Sequence, residues 1–159
     1  MSKIFGDIEY QLELLRCMLG QLSDHDYSKK GDHISSIGGH VRHVIEYVLI
    51  LINSDLSQPI DYSKRQRNKT IENDRNYTIA LLDELKTQVI KDDQPVRILE
   101  DSEILTSSYL REILYMHEHI VHHCAILRVE LETLESYEVD ACFGYAKSTL
   151  KHLEANVSA

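Results

Sequence analysis

Nine of the 159 residues are histidine, the side chain whose neutral imidazole is the commonest metal ligand. Six of them gather in two groups, His40 and His43 in one, His117, His119, His122 and His123 in the other. Metal ligation needs ring nitrogens that converge on one point. On a helix, residues four apart share a face, so the second group offers His119 and His123 as a pair. His122 is three residues from His119 and is the poorer partner, and His117 points elsewhere. A third ligand has to come from another helix, where His40 and His43 are available. Three histidines with one position left for water or substrate form an open site, of the kind used in catalysis rather than for structure.

Neighbouring residues exclude other chemistries. His117-Glu118 begins like the zinc-protease signature HExxH, but Val121 stands where the second histidine is needed. No histidine has a glutamate three positions before it, which removes the di-iron bundle pattern. Neither a GxSxG elbow nor a P-loop is present, so serine hydrolysis and nucleotide binding have no support. The three cysteines, Cys17, Cys124 and Cys142, are odd in number and lack CxxC spacing. They suit a reducing compartment rather than a disulfide framework. Cys124 is turned about 100° from His123 on the same helix, and is read as a small buried hydrophobe.

The elements that must carry these residues follow from apolar spacing. Ile8, Leu12, Leu15, Leu19 and Leu22 recur at three and four, predicting a first helix from about Ser2 to Leu22. Ser23 to Asp32, with Gly31 near its end, reads as a loop. A second helix starts after Ser35 or Ser36, either of which can cap it. Its apolar set, Ile37, Val41, Val44, Ile45, Val48, Leu49 and Ile52, is extended nearly all round by Ile50 and Leu51. Such a helix is buried in its own bundle or against a partner subunit. Asp55 to Asn68 is a linker holding Pro59. A third helix, capped by Thr70, carries Ile71, Thr78, Leu81, Leu82, Leu85 and Val89. Val96 to Leu105 suggests a small hairpin or extended connection around Glu100-Asp101-Ser102. The fourth and longest helix runs from the Thr106-Ser107-Ser108 cluster to about Leu134. Tyr137 to Gly144 is irregular, and Ala146 to Glu154 adds a short closing helix. The expectation is one all-α domain over residues 1–159, a four-helix bundle with a long crossover between helices 2 and 3.

Apolar residues make up 43 % and charged residues 27 % of the chain, an ordinary globular balance. The net charge of −9 opposes a phosphate backbone, so no nucleic-acid partner is expected. Asp7 and Glu9 do not suit a signal peptide. The most apolar run, Val44 to Ile52, is interrupted by Glu46 and is shorter than the roughly 20 residues a bilayer needs. A cytoplasmic protein without membrane contact is expected.

Four segments together resemble the DinB/YfiT-like superfamily. Ser36-Ile37-Gly38-Gly39-His40-Val41-Arg42-His43 is similar to its second-helix motif. His119-Ile120-Val121-His122-His123-Cys124-Ala125-Ile126 is similar to its HxxxH helix. Asp61-Tyr62 with Arg65, Arg67, Ile71 and Asp74 resembles a segment of one branch, and Phe143-Gly144-Tyr145-Ala146-Lys147-Ser148-Thr149 its C-terminal segment. The resemblance covers most of residues 35–150. It implies a four-helix bundle, often dimeric, with a divalent metal, usually zinc or nickel, on three histidines. The position of the first ligand in that motif corresponds to His43, and the pair to His119 and His123. His40, which lies nearer the apolar stripe, and His122 are then runners-up or neighbours of the ligands. Characterised relatives include enzymes that use bacillithiol, mycothiol or glutathione, as transferases or as maleylpyruvate isomerase, and related domains occur in ergothioneine synthesis. The chemistry implied is a metal that presents a thiolate.

Three functional expectations follow. The first is a metal-dependent enzyme activating a thiol or water for a small-molecule substrate, with an open metal position facing a pocket at one end of the bundle. The second is a non-catalytic metal- or ligand-binding homodimer connected with stress response. The third is a structural dimer whose histidines bind nothing. Beyond the histidines, Lys64-Arg65-Gln66-Arg67-Asn68-Lys69 is a basic stretch, solvated or paired with acids, or else an anion subsite near the metal mouth. Asp74 is expected to pair with one of these arginines. Tyr47 and Tyr62 are expected to pack in the core. His25, His33 and His152 are isolated and carry no assigned role.

Overall fold

The computed structural model describes residues 2–30, 35–135 and 137–157. Within them the chain forms α1 (Lys3–Gln21), α2 (Asp24–Ser28), α3 (Ile37–Asn53), α4 (Lys69–Asn73), α5 (Arg75–Gln88), β1 (Pro95–Glu100), β2 (Glu103–Ser108), α6 (Tyr109–Leu131) and α7 (Lys147–Val157). The architecture among the described residues is mostly helical with one small two-stranded sheet, compatible with an all-α reading that allows a hairpin-like connection before the last long helix.

The four longer helices share one core. α1 packs on α5 and α6, and α3 packs on α6 and α5. Burying an apolar stripe is what holds a helix in water. The stripe read from the first helix is buried throughout, at Ile8, Leu12, Leu15, Leu19 and Leu22. α3 contributes Ile37, Val41, Val44, Ile45, Val48, Leu51 and Ile52 to the same core, leaving Leu49 and Ile50 half-buried. Two ion pairs staple α1 to α5 at its surface, Arg16 to Asp83 at 2.9 Å and Lys86 to Glu13 at 2.6 Å.

Several boundaries differ from the sequence expectation for local reasons. The expected loop after α1 holds α2, because Ser23 caps it through the Asp26 amide at 3.0 Å and Tyr27 is fully buried. The Tyr27 hydroxyl donates to the Ile71 carbonyl at 2.5 Å, tying α2 to α4. Gly31, Asp32 and His33 lie outside the described residues. The expected third helix is two helices, because Asp74 ends α4 and caps α5 by accepting from the Tyr77 amide at 2.9 Å. Asn68, not Thr70, is the α4 cap, accepting from the Thr70 amide at 2.9 Å. Ser36 is the α3 cap, accepting from Gly39 N–H at 3.0 Å.

The hairpin is longer than read from the sequence. β1 and β2 pair antiparallel from Pro95 opposite Ser108 to Glu100 opposite Glu103. Asp101 and Ser102 turn the chain with φ of 45° and 72°, the left-handed pair that a two-residue hairpin loop requires. The Thr106-Ser107-Ser108 cluster therefore lies in β2, and α6 begins at Tyr109 with Ser108 as its cap. α6 stops at Leu131 rather than near Leu134.

Two glycines permit close approach. A Cβ on Gly38 would stand 2.0 Å from the Glu72 carbonyl oxygen, so this glycine lets α4 close on the first turn of α3. Gly144 has φ of +78°, and a Cβ there would stand 2.8 Å from the Cys124 carbonyl oxygen. The segment around it lies directly on α6, where Phe143 is buried. Arg128 Nη1 donates to the Asp140 and Phe143 carbonyls at 3.1 and 2.8 Å.

No helix among the described residues is long and apolar enough to cross a membrane.

Candidate metal centre

α3 and α6 face each other, and they carry the two histidine groups. His119 and His123 sit one turn apart on α6 with ring centroids 4.6 Å apart. His43 of α3 meets both, at 5.1 Å from His119 and 4.6 Å from His123. Each of the three offers a ligand nitrogen, and these nitrogens all lie within 4.8 Å of one another. A tetrahedral ion held at about 2.0–2.1 Å sets nitrogen separations near about 3.4 Å. All three rings are half-buried, so one side of the group remains reachable.

The donor set fits a metal in two further ways. His119 Nε2 and His123 Nδ1 are buried and lack a hydrogen-bond partner. A buried polar atom without a partner is costly, and ligation satisfies it. The rings are also held neutral, as ligands must be. Burial pushes His43 down to about 4, helped by Arg65 and His119. Burial pushes His123 down to about 3, helped by His119 and His43. His119 is lowered by burial and then by His122.

The other histidines take different places. His40 brings its ring to 5.7 Å from His123 between centroids and also lies near enough to His43 to lower that ring's affinity for a proton. His122 is exposed and meets the edge of His123 at 5.3 Å. His117 is half-buried on another face of α6, and both of its ring nitrogens are buried without partners. Its affinity for a proton is lowered chiefly by burial and raised by Asp7. Cys124 is fully buried and its thiol is pushed up by burial, consistent with a packing residue.

Aromatic rings and one arginine surround the three histidines. Tyr47 lies 4.9 Å from His43 and 4.6 Å from His119 between centroids. Tyr62 stacks on Tyr47 at 5.5 Å, and Tyr115 approaches both Tyr62 and His119. Tyr62 packs in the core as expected, whereas Tyr47 is only half-buried and stands against the histidines. The Arg65 guanidinium lies 5.1 Å from the Tyr47 ring centre, and its Nη1 contacts His43 Nδ1.

Arg65 reaches this place because the irregular 59–68 segment is pinned at three points. Ile60 pairs with β1, donating to the Arg97 carbonyl and accepting from the Leu99 amide, each at 2.8 Å. Tyr62 donates to Glu112 at 2.9 Å. Asn68 N–H donates to Glu46 at 2.6 Å. Arg67, just before that bond, has φ of 54°, a conformation uncommon outside glycine.

Glu46 and Glu112 are buried acids that sequence reading did not assign to the site. Glu46 accepts from Arg42 at 3.2 Å as well as from Asn68, and Glu112 also accepts from Ser107 at 2.5 Å. Glu46 is four positions after Arg42, a helical spacing that marks an ion pair. Tyr115 was also missed, although it stands one turn before His119 at the same four-residue interval. Asp74 does not pair with Arg65; its carboxylate caps α5. The 59–68 segment also helps to line a cavity of about 390 Å³, with residues that include Glu46, Asn53, Lys64 and Gln66. None of the three histidines lines it, so it is not the pocket expected beside the metal.

No family model, curated protein or solved structure matches the chain.

Proposed function

We propose that the chain is a DinB/YfiT-like four-helix-bundle protein that binds one divalent metal, zinc or nickel, through His43, His119 and His123. The observation that carries this reading is the convergence of three neutral, half-buried imidazoles from two helices, their ligand nitrogens within 4.8 Å of one another. The four sequence segments that resemble the superfamily, within residues 36–43, 61–74, 119–126 and 143–149, support the family. With three protein ligands one position stays open. A metal bound there would lower the pKa of a thiol or a water in the open position. The chain's own residues would then shape access: Tyr47 and Tyr115 flank the histidines, and Arg65 stands beside His43.

Thiol transfer is the sharper form of this reading, and hydrolysis the broader one. A non-catalytic metal-binding protein is the second reading, because the same half-buried nitrogens serve storage or sensing equally well. The family resemblance adds a homodimer, which sedimentation velocity would test.

The experiment is metal content by elemental mass spectrometry on protein purified without a polyhistidine tag. It is run beside a folded His43→Ala, His119→Ala, His123→Ala triple variant. About one zinc or nickel per chain, lost in the variant, is the expected result. Absence of metal even after incubation with both ions would overturn the reading. Turnover with low-molecular-weight thiols then separates enzyme from binding protein.

A further inference from the structure

Among the described residues no acid pairs with Arg65. Its contacts among them are His43 and the face of Tyr47, and its Nε is buried without a partner. Acids are plentiful in this chain, 26 against 17 lysines and arginines. Arg42, on the same helix as His43, is paired with both Glu46 and Glu72. A half-buried arginine left unpaired in such a chain is an incomplete site.

A guanidinium only donates hydrogen bonds, and a neutral imidazole has one nitrogen with a free lone pair. While Arg65 donates to His43 Nδ1, that nitrogen must be the acceptor. Ligation through Nε2 would place the proton on Nδ1, which then cannot accept from Arg65. Ligation through Nδ1 would use the same lone pair directly. In either case Arg65 and a metal compete for His43, and metal uptake frees the guanidinium. The pins at Ile60, Tyr62 and Asn68 limit how far it can withdraw. A freed cation beside a dication and three neutral rings calls for an anion between them.

We propose that Arg65 is the recognition group for a carboxylate on the small molecule that enters the open side of the His43–His119–His123 site. The inference rests on the metal-binding reading above. The planar fork of arginine matches a carboxylate in a paired geometry. The Tyr47 ring lies against it, and the half-buried Tyr47 and exposed Tyr115 both stand against His119, aromatic surroundings that suit an organic acid better than a hydrated inorganic anion. Carboxylate binding is then stronger in the metal-loaded protein than in the metal-free one, and by linkage the carboxylate tightens the metal.

The test loads the full chain with cobalt(II) and titrates 3-mercaptopropionate and 2-mercaptoethanol, thiols of similar length with and without a carboxylate. Thiolate-to-cobalt charge-transfer absorption reports binding, and the thiol proton leaves to buffer. The unmodified chain is expected to prefer 3-mercaptopropionate by about tenfold or more, as a charge-assisted pair provides. In Arg65→Gln the ratio between the two falls to about one, and Arg65→Lys keeps part of it. Equal affinities in the unmodified chain, or a ratio that survives in Arg65→Gln, would overturn the proposal whatever the folding of the variants. Competition by inorganic phosphate as strong as by propionate would overturn the carboxylate assignment. Failure to take up cobalt at all would overturn the metal reading and this inference together, whereas uptake with equal affinities would overturn this inference alone.

Discussion

The hydroxyl of Tyr62 donates to the carboxylate of Glu112 across 2.9 Å, and both residues are buried. This bond joins the segment that carries Arg65 to the first turn of the helix that carries His119 and His123. Burial, and then the neighbouring Glu112 carboxylate, hold the Tyr62 hydroxyl far above the ordinary tyrosine range. Tyr62→Phe removes the donor and leaves Glu112 with Ser107 alone. A loss of about 1–3 kcal/mol is expected for a hydrogen bond to a buried charged group, read as a lower urea midpoint. A variant as stable as the parent would show that the bond does not hold the segment.

Single histidine replacements should sort by geometry. His43→Ala, His119→Ala and His123→Ala are each expected to weaken zinc binding by at least about 100-fold, since each removes one of three ligands. His40→Ala and His122→Ala are expected to keep one zinc per chain, because the nitrogens within 4.8 Å of one another belong to His43, His119 and His123. Isothermal titration with a competing chelator measures both. Loss of binding in His40→Ala with retention in His43→Ala would reassign the third ligand.

The metal-free protein should lose stability in mildly acid solution. In the unfolded chain these imidazoles take up a proton near about pH 6.5. In the folded chain His43 and His123 do so only near about 4 and about 3, and His119 and His117 are also lowered. Above 6.5 both states are neutral, and these rings contribute no pH dependence. As pH falls from 6.5 toward 4 the unfolded state binds more protons, so stability declines. Urea midpoints at pH 8, 6.5 and 5 in the presence of a chelator should show a plateau and then a fall. A flat profile down to pH 5 would contradict the burial of neutral rings.

Gly38→Ala should be among the more damaging small substitutions. The added methyl would meet the Glu72 backbone oxygen at 2.0 Å, and backbone cannot rotate away as a side chain can. Overpacking of this kind costs about 1–3 kcal/mol. Gly6→Ala, with nothing within 4 Å of the added carbon, is the control and should be neutral or stabilising. Equal thermal midpoints for the two variants would refute the close contact between α3 and α4.

The three thiols should label unequally. Cys17 is exposed, Cys142 intermediate and Cys124 buried. Iodoacetamide with peptide mass spectrometry is expected to modify Cys17 first and to leave Cys124 untouched until denaturant is added. Early modification of Cys124 would mean that α6 opens beside the histidines.

Local physics made much of this legible in the amino-acid order. The four-residue interval placing His119 and His123 together is a property of any α-helix. The apolar stripe of α1 and the Ser36 cap of α3 likewise depend on neighbours a few positions away. Asp74 was legible only in part: a capping residue in the middle of an apolar pattern signals a break, and that break splits the third helix. Tyr27 shows the opposite case, since a five-residue helix has no period to read and is held by a hydroxyl bond to Ile71.

What the tertiary structure alone decided was which groups meet across elements. Helical periodicity places His40 nearer the apolar stripe of α3, and it is the family resemblance, not the spacing, that points to His43; the packing of α3 is what brings His43 to His119 and His123. Gly38 against Glu72 and Arg42 between Glu46 and Glu72 set the rotation of α3, and it turns His43 toward His119 and His123. The placement of Arg65 lies still further from local sequence. Its segment has no repeating pattern, and its path follows from bonds to β1, Glu112 and Glu46, partners that lie up to 50 positions away. Contacts within one helical turn are dictated by chain geometry, whereas contacts between elements depend on how the whole core packs.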